Sequence, residues 1–247
     1  MRAKSLFILI FLLCLFACGR PLGKDNAVFK VFAIPVPIPV TVDGVLNETV
    51  WEKAQTIQLV ENKTGNTVRD SSVLTFVKIC YDPAGLYIAF ICNDPDIWGN
   101  FSRRDEHLWT EEVVEVFLDT DAEPNTYFEF EVSPKNVLFD SYIVDPVNID
   151  FEATAKCDLP TIQTAVAVDG SLNNRTDRDR RWTVEMAIPF ADILPNGKTV
   201  IPGKTKWKIN FYRLNRDNKA ASLGYAWSPT GGRFHNPAVF GTLVFQQ

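Results

Sequence analysis

The chain has 247 residues, with 30 acidic and 25 basic side chains, a net charge of −5 and only two histidines. An acidic chain without a basic cluster argues against nucleic acid as a partner, and two separate histidines without paired cysteines supply too few ligands for a zinc centre. At this length one sizeable core is expected, and an all-β domain of such size is common.

Arg2 and Lys4 precede an apolar run from Leu6 to Phe16. The run is too short to span a bilayer and fits an export signal. It ends in Leu15-Phe16-Ala17-Cys18, which resembles the bacterial lipobox, where the cysteine is acylated and becomes the new N-terminus. The expectation is a signal peptide at 1–17, lipidation at Cys18, a lipid-anchored tether at 18–41 and a folded domain at 42–247. An ordinary secretory signal with a chance cysteine is the alternative. Gly19, where Asp would indicate inner-membrane retention, points to the bacterial cell envelope and its outer membrane. Loss of Arg2 and Lys4 takes the charge from −5 to −7.

In "AIPVPIPVTVDG" (33–44) the prolines remove backbone donors, so its first half is extended chain or a sheet edge. "VDGVLNETVWEKA" (42–54) reads as a turn at Asp43-Gly44 and one or two helical turns from Asn47. Strands are expected near 56–60, 73–81, 86–93, 112–119, 126–133, 136–142, 161–168, 181–188, 206–214, 222–227 and 240–245. "PFADIL" (189–194) is at most a short helix, and Arg175 to Arg181, mixed in sign, reads as a solvated loop. Many short strands without long amphipathic helices predict an all-β, antiparallel, jelly-roll-like β-sandwich with one or two short helices. If Tyr81 pairs with Leu86, then Cys80 faces Tyr87, and Cys92 lies too far along to bond to it. Cys80, Cys92 and Cys157 are odd in number and cannot be fully paired. Cys80 and Cys92 read as small buried hydrophobes.

Strand alternation sorts side chains by face. In 113–119, Val114, Val116 and Leu118 share one face, while Glu115 and Phe117 lie on the other. In 127–132, Phe128, Phe130 and Val132 share one face, while Tyr127, Glu129 and Glu131 lie on the other. "TDAEPN" between them predicts an antiparallel hairpin. One face is apolar and belongs to the core. The second mixes rings with carboxylates, and Trp109 stands at its mouth. A solvated sheet surface would also read so. Rings beside a few fixed polar groups suit a ligand with apolar C–H faces and a rim of hydroxyls, which describes a sugar. A second source of rings is "YAWSPTGGRFHNPAVFGTLVF" (225–245). There Trp227 ends a strand, as core or as site, and a Gly-Gly loop presents Arg233, Phe234, His235 and Asn236.

Five segments in order, "VDGVLNETVWEKA", "GLYIAFICNDPDIW", "WTEEVVEVFLD", "WTVEMAIPF" and "WSPTGGRFHNPAVFGTLVF", resemble the family 9 carbohydrate-binding modules and their family 9-like relatives over about 42–245. The resemblance implies a β-sandwich that binds sugars without cleaving them, holding a glycan end between two tryptophans while sheet side chains read its hydroxyls. By position the first tryptophan is Trp109, the hydroxyl-reading acid is Glu115, and the second tryptophan falls on Phe234, a smaller ring. An arginine of the family falls on Glu131, with Arg213 a candidate to neutralise the two carboxylates. Trp227 is the remaining candidate contact. The resemblance implies no cofactor beyond a structural calcium, for which Asp119, Asp121, Glu123 and Asn125 offer oxygens without the glycine and closing glutamate of an EF-hand loop.

Three other readings stay open at this point. Glu115 with Glu131 or Glu129 could serve as the carboxylate pair of a glycoside hydrolase. A related haem-binding sandwich would need axial ligands, and Met186 is its one methionine after signal removal. A partner-binding lipoprotein with a decayed sugar site would keep the fold and lose the ligand. The histidines, His107 and His235, lie in loops without a nucleophile elbow.

Overall fold

The computed structural model describes residues 29–123, 125–195, 198–216 and 223–247. The expected signal peptide, the expected lipidation site Cys18 and the first part of the expected tether lie outside these residues. In chain order the strands are β1 (Lys30–Pro35), β2 (Ile57–Gln58), β3 (Val60–Glu61), β4 (Thr75–Tyr81), β5 (Gly85–Asn93), β6 (Val113–Asp119), β7 (Tyr127–Val132), β8 (Leu138–Ile143), β9 (Gln163–Asp169), β10 (Arg181–Pro189), β11 (Lys206–Asn215), β12 (Leu223–Ala226) and β13 (Gly241–Phe245). Three helices of at most five residues accompany them: α1 (Thr49–Lys53), α2 (Phe151–Thr154) and α3 (Phe190–Ile193). α2 was not expected.

The strands join in the order β8-β7-β6-β11-β13-β1-β4-β5-β10-β9, with β12, β3 and β2 attached at the sides. The sheet is mixed, which corrects the purely antiparallel expectation. β1 runs parallel to β13 through Lys30–Ala33 and parallel to β4 through Ile34 and Pro35. It therefore stitches two antiparallel halves together. A second correction concerns the tether, because Lys30–Pro35 is a central strand. Val31 and Ala33 are fully buried, and alternation over six residues suffices to dock it.

The inward faces of both halves share one core. Ile79, Ile88, Phe90, Val184 and Ile188 come from one half, and Val114, Val116, Leu118, Phe130, Ile209 and Phe211 from the other. Phe90 meets Phe211 edge-on at 6.1 Å. Cys80 pairs with Tyr87 in the β4–β5 register, and Cys80, Cys92 and Cys157 are free thiols. The β4–β5 turn is fixed by Asp82, whose Oδ1 accepts from the amides of Ala84 (2.7 Å) and Gly85 (2.9 Å). The Asp43-Gly44 turn is held from below by Glu185. Its Oε2 accepts both turn amides at 3.0 and 2.9 Å, and its Oε1 accepts the Trp51 indole N–H at 2.8 Å.

Candidate functional site

β6 and β7 form the expected hairpin, with Glu115 opposite Glu131 and Phe117 opposite Glu129. In the hairpin turn, carboxylate oxygens of Asp119 and Asp121 accept hydrogen bonds from the chain itself. Asp119 Oδ1 accepts the amides of Asp121 and Ala122 at 3.1 and 2.7 Å. Asp121 Oδ1 accepts the Glu123 amide at 3.0 Å, and its Oδ2 accepts the Tyr142 hydroxyl at 3.2 Å. These oxygens serve the turn.

On the face away from the core, Glu115, Glu129 and Glu131 each offer a carboxyl oxygen within 4.8 Å of the others. All three are buried. They floor a pocket of about 380 Å³ whose lining includes Trp109, Phe151, Arg216, Arg233, Phe234 and His235. Glu115 Oε1 and Glu131 Oε2 are enclosed and have no hydrogen-bond partner, while Glu129 Oε2 accepts from the Ser141 hydroxyl at 3.2 Å. Burial raises Glu129 to about 8. Burial and then the Glu129 carboxyl hold Glu115 well above the usual carboxylate range, and burial and then Glu115 and Glu129 do the same for Glu131. The first cause is common to all three: burial away from water disfavours the charged form, and for Glu115 and Glu131 neighbouring carboxyls add to it.

Each ring is placed by a different device. Trp109 lies in the single 3₁₀ turn Leu108–Thr110, anchored by the fully buried Leu108. Its indole stacks on His107 at 4.5 Å, and Phe151, at the start of α2, leans against it at 4.5 Å with its plane tilted by 32°. Trp109 is therefore one ring of a stack. Phe234 lies flat on Tyr212, with centroids 4.2 Å apart and planes 14° apart. Its ring edge also passes over Gly224, where a Cβ would come within 3.2 Å of it. The Gly-Gly loop is pinned by buried Asn62, which donates from Nδ2 to the Gly232 carbonyl (2.7 Å) and accepts from the Thr230 amide (2.8 Å). His235 Nδ1 shares a 2.8 Å hydrogen bond with the Tyr127 hydroxyl, and Nε2 stands 3.8 Å from Glu129. Burial, then Arg233, lowers the imidazole to about 4, so it is neutral at pH 7.

Trp109, Glu115, Glu131 and Phe234 thus converge on one pocket, whereas Arg213 and Trp227 lie elsewhere. Arg213 projects from the core face of β11, where it bonds Asp94 at 2.7 Å, lies 3.5 Å from Glu112 and donates to the Asn93 carbonyl at 2.8 Å. It compensates a different pair of acids. Alternation on β11 assigns Arg213 to the side of Ile209 and Phe211, and Tyr212 and Leu214 to the side of the pocket. Trp227 packs edge-on against Phe29 at 5.7 Å in the core. Phe151 and Arg216 were not anticipated at all, whereas Arg233 and His235 were placed on the presenting loop and Glu129 on the ring-and-carboxylate face without being singled out as contacts. His235 was visible beside Phe234; Phe151 sat in a loop without any pattern. A second acidic group, Asp105, Asp140 and Asp158, is bridged by Arg104, which reaches Asp140 at 2.6 Å and Asp158 at 3.2 Å.

A sequence model of the family described as carbohydrate family 9 binding domain-like matches residues 42–247. A relative from Arthroderma benhamiae, named only as an extracellular protein, is 31% identical over 179 residues, covering 69% of this chain and 78% of its own. A candidate carbohydrate-binding protein from Bacteroides uniformis has a similar structure, with TM-score 0.66, 18% identity, and coverage of 88% of this chain and 99% of that one. A family 9 carbohydrate-binding module from Caldicellulosiruptor kristjanssonii, solved with glucose, gives TM-score 0.61 at 17% identity, covering 88% and 95%. Its complex with cellotriose gives 0.60 at 16%, covering 88% and 93%.

Proposed function

Since the chain belongs to the carbohydrate family 9 binding domain-like family, we propose that it binds a glycan, without cleaving it, in the pocket between Trp109 and Phe234. The observation that carries this reading is the pair of enclosed, unpartnered oxygens on Glu115 and Glu131, set below a wall of rings. A buried oxygen without a partner costs about 1–3 kcal/mol, and a hydroxyl-bearing ligand supplies the missing donors. The rings of Trp109, Phe151 and Phe234 offer apolar surface for the C–H faces of a pyranose. Glu115 reads hydroxyls, Trp109 and Phe234 supply ring contacts, and Glu131 takes the place of a basic residue, so selectivity differs from that of a site that pairs an acid with a base. The family resemblance and the structures solved with glucose and cellotriose support the ligand class.

Binding without hydrolysis is favoured by the family, which is described as a carbohydrate-binding domain. The leader and Cys18 extend the proposal to a sandwich-like domain tethered by lipid at the bacterial outer membrane. Palmitate labelling of the expressed protein, lost in Cys18→Ala, tests the anchor. The glycan reading is tested by titrating the purified protein's tryptophan fluorescence with a panel of mono- and oligosaccharides, beside Trp109→Ala. A saturable change absent from the variant supports it; a flat response across the panel overturns it.

A further inference from the structure

Resting on the reading of this pocket as a glycan site, we propose that its ligand is a cationic sugar, a glycan whose free amino group seats its ammonium on the floor formed by Glu115, Glu129 and Glu131. The three residues come from paired strands, so the ladder itself forces their carboxyls together. None is more than 2% exposed. Among the described residues, no lysine or arginine forms an ion pair with any of them. The two arginines that line the pocket donate to backbone carbonyls, Arg216 Nη2 to Trp109 O at 2.6 Å and Arg233 Nη2 to Pro146 O at 3.2 Å, while the Arg216 guanidinium also favours the charged form of Glu115 against its burial. The one basic ring in reach, His235, is tied through Nδ1 to Tyr127. Three acids thus share the floor with Arg216 as the one cation that offsets Glu115, and none of the three is held in an ion pair with a lysine or arginine among the described residues.

The geometry suits an ammonium. Such a group carries three donors and no acceptor, and its hydrogen bonds to carboxylates run about 2.7–2.9 Å. Three oxygens spaced up to 4.8 Å apart can all be reached from one central nitrogen at about that length. Glu115 and Glu131 each keep one enclosed carboxyl oxygen without a hydrogen-bond partner. The surrounding rings add to the match. Trp109, Phe151 and Phe234 line the same pocket, and aromatic faces attract cations. A neutral sugar fits the rings and leaves the acid cluster uncompensated. An acetylated amino sugar does the same, because its amide carries no charge. With the ligand absent, burial and mutual repulsion keep protons on the cluster; the ammonium replaces those protons as the source of positive charge.

The experiment is calorimetric titration of the purified protein with three oligosaccharide series of equal length: glucosamine, N-acetylglucosamine and glucose oligomers. Wild type is compared with Glu131→Gln and Glu115→Gln, each in buffer with EDTA and in buffer with added calcium. We expect the glucosamine series to bind at least tenfold more tightly than both neutral series, and the preference to fall several-fold in either variant. Equal or tighter binding of neutral sugars overturns the inference and leaves the glycan reading standing. Absence of binding in all three series removes both. Binding that needs calcium and is lost in EDTA assigns the floor to a metal ion and overturns the inference. A glucosamine preference that survives unchanged in both variants reflects the acidic surface at large and also overturns it. The wild-type comparison decides the sugar class even where a variant fails to fold.

Discussion

Glu115 on β6 stands directly across the ladder from Glu131 on β7, and each keeps one enclosed carboxyl oxygen without a partner. Both carboxyls could be charged at these opposed positions only at a cost in stability, so in the empty pocket they are held well above the usual carboxylate range. The pair therefore weakens the fold at the place where the pocket gains its floor, which is the pattern expected where a binding site takes precedence over stability.

Replacing one member by its neutral isostere should relieve that cost. Glu131→Gln is expected to raise stability by roughly 0.5–1 kcal/mol, the scale of a cross-strand pair, while weakening ligand binding. Urea unfolding of variant and wild type reads the first effect. A variant less stable than wild type by more than that amount would mean that the carboxyls hold the hairpin together.

The raised carboxyls also set a pH dependence. Glu129 and Glu112 have folded values near 8 against a usual 4.5. Between these values the folded protein holds more protons than the unfolded chain, so stability falls as pH rises. His235, lowered to about 4 from 6.5, acts in the opposite sense, but only below pH 6.5. The window from pH 6.5 to 8 isolates the carboxyls. The melting temperature should fall across that window, and should fall less in Glu129→Gln. A melting temperature that climbs from pH 6.5 to 8 would contradict the assignment.

Arg213 belongs to the core, with Asp94 and Glu112 as its acids. Removing one partner of a buried ion pair typically costs about 3–5 kcal/mol, because the remaining charges stay buried. Arg213→Met should lose stability on that scale. At a temperature where the variant is folded, its sugar affinity should match wild type. A selective loss of affinity without loss of stability would place Arg213 in the binding machinery.

Gly44 has φ +83°, and a Cβ there would sit 2.7 Å from the Ala167 amide nitrogen. Both the left-handed backbone and the close approach exclude a side chain. Gly44→Ala should cost about 2 kcal/mol or more, read by thermal unfolding, and should leave the distant pocket unaltered. A neutral substitution would show that the Asp43-Gly44 turn is free to move off β9 and β10.

Much of this was legible in the sequence because alternation leaves little freedom in a sheet. Period two in 113–119 and 127–132 assigned every side chain of the hairpin to its face, and thereby put Glu115 and Glu131 together. The conditional pairing of Tyr81 with Leu86 across the Asp82–Gly85 turn is the register observed. What stayed hidden has equally physical causes. β1 is six residues beside prolines, and its parallel pairing depends on two strands far along the chain. Arg213 follows the alternation of β11, yet a cation on an apolar face is readable only once Asp94 and Glu112 are known to meet it there. Phe151 sits on a one-turn helix in a loop, where no periodicity marks it, and it reaches Trp109 only through the fold.

The central claim is that a glycan occupies the space above Glu115 and Glu131 between Trp109 and Phe234. A crystal structure of the protein with the tightest-binding oligosaccharide tests it most directly. The account predicts a sugar ring against the Trp109–Phe151 stack and Phe234, with a polar substituent bonded to Glu115 Oε1 and Glu131 Oε2. A sugar bound elsewhere, such as in the groove beside Arg178, Arg180 and Arg181, with the acid floor left uncontacted, would contradict it.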